Sequence, residues 1–349
     1  MSEIMPSFPK NQTSSSLCLA GTLTLALRLV TGWTYFSAFW RRLVLENKFN
    51  PDAPGYVGEK FNHFLPNALL IQPFIEYLVR HADLLWWAML LFTLTECLVG
   101  LCVLLGLFTR LASLGVSSLA LGILLGAGWL GTTCLDEWQI GVLGVAAGFT
   151  LMLTGGGSFT IDNRLLATHW RITSWKWFPW LASGELPLAE TRLRLLAVIG
   201  GLAITGLTLF TDQYFHGGVC GKLHNLSVNP HVTIENARID NNALSFSVFR
   251  DEGADVYGSF LIGVTLKDAA GNILWQQDMQ DLSRLPPGQI KNHYAAKVRP
   301  GKHSLILPLG ARATLTFPIE RNRLLSAKQP FPLELTDISG TIWSQQINR

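Results

Sequence analysis

Five stretches of the chain are apolar over about the length a bilayer-spanning helix demands: 17–40, 84–108, 111–130, 138–153 and 193–210. The fourth and fifth are the shortest, and flanking Gly, Thr and Leu residues extend them. The first is a poor signal peptide, because Arg28 interrupts its middle and no small-residue cleavage site follows, so the N-terminus is expected to stay attached. Beyond Thr211 the pattern changes to short alternations of polar and apolar residues punctuated by turns. Residues 232–239 and 244–249, joined through Asn241-Asn242, read as a hairpin. Residues 260–267 and 273–277, joined through Ala270-Gly271-Asn272, read as a second, and 304–309, 313–319 and 333–342 as later strands. The predicted fold is a membrane α-helical bundle of about five transmembrane helices followed by a C-terminal extracytoplasmic all-β sandwich, for which an immunoglobulin-like topology is the commonest choice. The domain reading is a four-helix part over 1–190, a fifth helix over 191–215 and the β part over 216–349.

Composition supports the membrane reading. Of the 349 residues, 49% are hydrophobic and 15% charged, against about 25% charged in ordinary soluble domains. The net charge of +3 is too small for charge-driven nucleic-acid binding.

Orientation follows from the loops, since short connections rich in Lys and Arg stay cytoplasmic. Arg164, Arg171, Lys176, Arg192 and Arg194 follow the fourth span and Arg110 the second, so both connections are expected inside. The third turn, 131–137, lacks positive charge and suits the outside. The N-terminus is then cytoplasmic and the β-domain extracytoplasmic. Arg41, Arg42 and Lys48 oppose this, in a long connection that also holds Glu46, Asp52 and Glu59. Trp170, Trp175, Trp177 and Trp180 fit an aromatic belt on the inner leaflet.

Two charges lie deep within spans. Arg28 in the first and Glu96 in the second fall at matching depths of antiparallel helices, and charge there is costly unless paired. An Arg28–Glu96 interaction is expected. It serves either as a structural ion pair fixing helix register or in a proton or quinone role. Gly122 with Gly126, and Gly141, Gly144 and Gly148, would let helices approach closely.

Of the five cysteines, only Cys134 and Cys220 fall outside the spans on the outer side, where disulfides persist. A bridge between them would act at least as a staple. Cys97 and Cys102 read as small packing residues. All eight histidines lie outside the spans, which argues against buried bis-histidine haem. His216, Cys220 and His224 recur every fourth residue, but Gly217-Gly218 breaks a helical ligand face, so no metal is expected. No phosphate-cradling loop or dinucleotide fingerprint is present, and neither haem nor flavin is expected.

The run from Glu96 through Gly106-Leu-Phe-Thr-Arg110 resembles the second-helix signature of the DoxX-like membrane family. Arg28-Leu-Val-Thr-Gly32 and Gly155-Gly-Gly-Ser-Phe-Thr-Ile-Asp162 strengthen the likeness. The fifth helix, followed by Gly217-Gly-Val-Cys220-Gly-Lys-Leu-His224-Asn and a β-domain, resembles DoxA fused behind DoxD, over nearly the whole chain. The resemblance implies a thiosulfate:quinone oxidoreductase in the inner membrane of a bacterium. Thiosulfate would be oxidised to tetrathionate and a membrane quinone would serve as dissociable electron acceptor. It carries no catalytic residue over by position.

The residues themselves allow a relay in which a Cys134–Cys220 disulfide takes two electrons from two thiosulfates by thiol–disulfide exchange. Arg41, Arg42, Lys222 and His224 are candidates for binding sulfonate oxygens, although Arg41 and Arg42 equally suit headgroup anchoring. Asp136 and Glu137 are candidate proton acceptors, or simply solvated turn residues. Trp33, Trp40 and Trp138 suit either a quinone slot or interfacial anchoring. A competing class is a non-enzymatic anchor or assembly partner, or a subunit of a quinol oxidase; a homo-oligomer or a respiratory-chain partner fits either.

Overall fold

A computed structural model of the chain describes residues 10–46, 48–53, 55–131, 136–168, 171–240, 242–255, 259–320 and 329–347. Its N-terminal part is helical, with α1 (Lys10–Leu23), α2 (Leu25–Val44), α3 (Glu59–Phe64), α4 (Gln72–Arg80), α5 (Ala82–Leu105), α6 (Thr109–Ala127), α7 (Asp136–Thr154), α8 (Ile161–Thr168), α9 (Phe178–Leu181) and α10 (Glu190–Phe215). Among the described residues α5, α6, α7 and α10 are each long and apolar enough to cross a membrane. The α1–α2 pair makes a fifth span if counted as one, bent by 57°. The expected unbroken first helix is therefore corrected to two pieces meeting at Thr24, whose hydroxyl bonds back to the carbonyls of Ala20 (3.3 Å) and Gly21 (3.1 Å).

The chain divides into two compact units. The first comprises 1–46, 90–124 and 137–222, and the second 47–89, 125–136 and 223–349.

Within the first unit, glycine decides how closely helices approach. A Cβ on Gly32 of α2 would lie 2.6 Å from the backbone nitrogen of Leu104, and one on Gly100 of α5 would lie 2.9 Å from the Gly32 carbonyl. On α7, Gly141 and Gly144 meet Leu124 and Ala120 of α6 as small-residue packing requires. The expectation for Gly122 and Gly126 is corrected: Gly122 faces open space and Gly126 makes only ordinary contacts, because the close approach uses the α7 glycines against other positions of α6.

One end of this bundle is tied by three buried polar side chains. Asp162 of α8 accepts from the backbone N–H groups of Phe108 (2.7 Å) and Thr109 (2.9 Å), and from the hydroxyls of Thr109 (2.7 Å) and Ser183 (2.9 Å). It thereby takes up donors that the start of α6 leaves open. Arg28 donates to the carbonyls of Val103 (3.1 Å) and Leu104 (3.1 Å) in the last turn of α5, and to Phe159 (2.8 Å). Arg110 donates to Met152 near the end of α7 (3.0 Å), Pro179 (3.2 Å), Ala182 (3.4 Å) and Gly184 (2.8 Å).

The second unit is built on β1 (His231–Asp240), β2 (Ala243–Glu252), β3 (Ser259–Lys267), β4 (Ile273–Gln277), β5 (Ile290–Asn292), β6 (Arg299–Pro300), β7 (Leu305–Leu307), β8 (Arg312–Pro318), β9 (Phe331–Asp337) and β10 (Ile342–Ile347), with the short helix α11 (Met279–Ser283) after β4. Among the described residues every strand pair is antiparallel. One sheet runs β1-β2-β8-β5; the other runs β10-β9-β3-β7-β6, with β4 also on β3. Alternate residues of both sheets, among them Leu244, Phe246 and Val248 of β2 and Leu261, Leu333 and Leu335 of β3 and β9, meet in one core. Both expected hairpins are present. The single strand expected over 333–342 is two strands, because the chain reverses after Asp337, with Gly340 at φ +87° and the Asp337 carboxylate accepting from the N–H groups of Phe260 and Ser339 (both 3.0 Å).

The connection carrying α3 and α4 belongs to this same unit. Asn62 is fully buried; its amide donates to the Gly310 carbonyl (3.0 Å) and its oxygen accepts from the Ala296 N–H (3.0 Å). Asn67 donates to the Asp251 carbonyl (3.0 Å), the Ala295 N–H to the Val79 carbonyl (3.0 Å), and the Tyr294 hydroxyl to Glu76 (2.7 Å). Leu65, Ile75 and Val79 pack with Tyr294 and Phe249. Lys297 pairs with Asp52 (3.0 Å), and Asp255 sits between His63 (3.8 Å) and Lys60 (2.9 Å).

His63 and Lys60 hold the Asp255 carboxyl well below the usual carboxylate range. A depressed folded-state pKa gives stability that is present above the unfolded value of about 3.9 and is lost as pH falls through the folded value. Thermal unfolding of the full chain in detergent, followed by far-ultraviolet circular dichroism from pH 6 to pH 2, should show this loss below about pH 4. Asp255→Asn should lower stability at pH 6 and flatten the acid limb. Parallel limbs for the two proteins would contradict the assignment.

Candidate functional site

The carboxylate that the sequence places inside the second span is indeed buried, but its partner is not the expected one. Glu96, in the interior of α5, has a side chain only 4% exposed and forms a two-pronged ion pair with Arg42 in the last turn of α2. The Arg42 guanidinium also donates to the Thr93 hydroxyl (3.3 Å) and lies 5.4 Å from the centroid of the Phe92 ring. Thr93 sits one helical turn before Glu96, so both present the same face of α5 to α2.

The expected Arg28–Glu96 pair is therefore corrected, and the bend at Thr24 explains it. A single straight helix from Leu17 would put Arg28 near mid-span, at the depth of Glu96. The straight segment begins only at Leu25, which puts Arg28 in the first turn of α2. Gly32 against Leu104 then fixes the antiparallel register, so Arg28 meets the last turn of α5 while Arg42, near the other end of α2, meets Glu96.

A second buried polar group belongs to the same bundle. Tyr35, one of the few buried positions of α2, packs in a core with Val99, Val103, Ala112, Val116, Leu119 and Leu151. Its hydroxyl donates to the Val116 carbonyl (3.4 Å). The sequence reading missed Tyr35 and Thr93; polar residues on the face that carries Gly32 and Glu96 were the available signal.

The arrangement supplies a carboxylate able to take or release a proton inside an apolar bundle, held by a guanidinium that offsets its charge. A two-pronged arginine also fixes the carboxylate's orientation, which lysine in that place would not do.

The remaining predicted residues lie elsewhere. Cys134 lies outside the described residues, as does the side chain of Asp136 and all of Trp170. Glu137 is half-buried at the start of α7. Cys220 is exposed, makes no disulfide with another described residue, and has its backbone N–H held by the Gln213 side chain of α10 (2.6 Å). Arg41, Lys222 and His224 are exposed, whereas Arg42 is committed to Glu96. Trp33 and Trp40 are more than half exposed, while Trp138 donates to the Thr211 hydroxyl of α10 (3.0 Å). Trp175, Trp177 and Trp180 are exposed on the connection between α8 and α10. Among the described residues no three His, Cys, Asp or Glu side chains are grouped so as to hold a metal ion.

Residues 23–189 match the family TQO small subunit DoxD, and residues 215–346 match the family TQO small subunit DoxA.

Replacing either partner of the buried pair should cost on the order of 3–5 kcal/mol, toward the lower end because Arg42 keeps some exposure. Arg42→Met with Glu96→Met should cost much less than the sum of the single changes. Thermal unfolding of the four proteins in detergent measures this; additive costs would mean that the two side chains do not interact.

Proposed function

Since the chain belongs to the DoxD and DoxA families, joined in one polypeptide, we propose that it oxidises thiosulfate to tetrathionate and passes the two electrons to a membrane quinone. The family membership carries the redox half of this reading. The quinone half is supported by Glu96, a carboxylate paired with Arg42 inside a bundle of apolar helices, where a lipid-soluble acceptor can be protonated as it is reduced. The positive loops support an N-terminus in the cytoplasm and a β-domain in the periplasm, with the chain in a bacterial inner membrane.

The proposed electron carrier between the substrates is a disulfide formed by Cys134 and Cys220. One thiosulfate attacks one cysteine sulfur through its terminal sulfur, forming a cysteinyl thiosulfonate and releasing the other cysteine as thiolate. A second thiosulfate attacks the sulfur carried by the first. Tetrathionate leaves, and the first cysteine is also released as thiolate. Two electrons then rest on the dithiolate; a quinone takes them with two protons, becoming quinol, and the disulfide reforms. Arg41, Lys222 and His224 are retained as anion-binding candidates for the thiosulfate dianions. Arg42 acts in this proposal through Glu96. Asp136 and Glu137 remain candidate proton acceptors beside Cys134.

The purified chain in detergent, given thiosulfate and decyl-ubiquinone, should reduce the quinone and form one tetrathionate per quinol. A folded preparation without thiosulfate-dependent turnover would overturn the enzymatic reading and favour a membrane anchor or assembly partner. Cys134→Ser with Cys220→Ser should abolish tetrathionate formation. Normal turnover by that variant would remove the disulfide relay while leaving the enzyme standing.

A further inference from the structure

The two family matches are separated by residues 190–214, nearly all of the membrane-spanning helix α10, yet a segment of the DoxD region is packed into the same compact unit as the DoxA region. We propose that this segment, residues 48–81 with α3 and α4, is a docking surface whose partner is the DoxA β-domain, and that it holds the domain without help from the covalent connection through Gly221-Lys222.

Three kinds of complementarity meet on this surface. The first is a side chain reading main chain: the Asn62 amide satisfies one carbonyl, Gly310, and one N–H, Ala296, on two separate loops of the β-domain. Both loop groups are deep in the unit, where a backbone group left unpaired is destabilising. Gly310 has φ +70°, and any Cβ there would overlap the Asn62 backbone, so the β-domain leaves a gap shaped for this residue. The second is apolar. Leu65, Ala68, Ile75 and Val79 of the segment close over Tyr294, with Phe249 beside it. Tyr294 lies across these residues while its hydroxyl reaches Glu76, so one ring is gripped at both its apolar body and its polar tip.

The third is charge. The segment offers Asp52, Lys60 and Glu76 in that order along the chain, and the β-domain answers with Lys297, Asp255 and the Tyr294 hydroxyl. Exposed pairs of this kind add little strength but exclude misaligned docking. A main-chain bond from Ala295 to Val79 and the Asn67 bond to Asp251 complete the contact. A linker that merely tethers needs none of this. An interface with a buried polar anchor, an apolar ring and alternating charges is what two separate polypeptides use to find each other. The families matched at the two ends are themselves described as two small subunits.

The test uses the full chain with a site-specific protease recognition sequence inserted between Gly221 and Lys222, a stretch whose residues are exposed. After cleavage the β fragment carries no membrane-spanning helix. In membranes washed with 1 M salt it should stay with the membrane fraction, because the anchor is neutral and buried. Asn62→Leu combined with Gly310→Ala should release most of it after cleavage. The uncut form of this variant should remain in the membrane with the β-strand dichroism of the parent, which separates lost docking from lost folding. Release of the fragment from the parent protein on cleavage would overturn the proposal. Equal retention by parent and folded variant would overturn its assignment to the Asn62 surface. Neither readout depends on thiosulfate turnover.

Discussion

A helix that ends inside an apolar bundle leaves carbonyls and N–H groups that no water can reach, and the rest of the first unit depends on how these are satisfied. Two arginines and one aspartate do it. Arg28 takes carbonyls from the end of α5, Arg110 takes one near the end of α7 with three from the connection around α9, and Asp162 takes the N–H groups that open α6. Three of the long helices, α5, α6 and α7, thus have an end fixed by side chains from other elements. Each side chain is a charged group whose hydrogen bonds go chiefly to backbone, so the knot works by geometry more than by ion pairing. Only with the bundle fixed in this way can Arg42 and Glu96, on α2 and α5, meet in register.

The three glycine-bearing motifs thereby take on a physical role. Arg28-Leu-Val-Thr-Gly32, Gly106-Leu-Phe-Thr-Arg110 and the run Gly155 to Asp162 stand far apart in sequence, and all three converge on the same knot. Gly32 gives the close approach, Gly106 turns the chain at φ +67°, and Asp162 caps the helix beyond. The motifs that carry the family resemblance therefore report how the bundle is built, and they do not identify its reacting groups.

How much of this could be read from the chain follows the same division. Spans and hairpins were legible because each is announced by a run or alternation of its own residues, as in 232–249, where the turn residues sit between two strands of matching pattern. The bend at Thr24 was not legible, since it arises from one hydroxyl competing for backbone carbonyls within an otherwise apolar stretch. That single break carried the error in pairing Glu96 with Arg28. The clasp at Asn62 was likewise hidden: nothing local marks an asparagine whose partners lie more than 230 residues away.

The Arg42–Glu96 pair also constrains how the chain can be made. Glu96 lies well inside its helix, and an ionised carboxylate at such depth costs several kcal/mol when alone in lipid. Its partner is on the span synthesised just before it. The nascent chain therefore carries the remedy ahead of the problem: α2 is already present when α5 arrives. Insertion of the two as an antiparallel hairpin lets the acid enter the membrane already neutralised, so the order of helices along the gene doubles as an order of assembly.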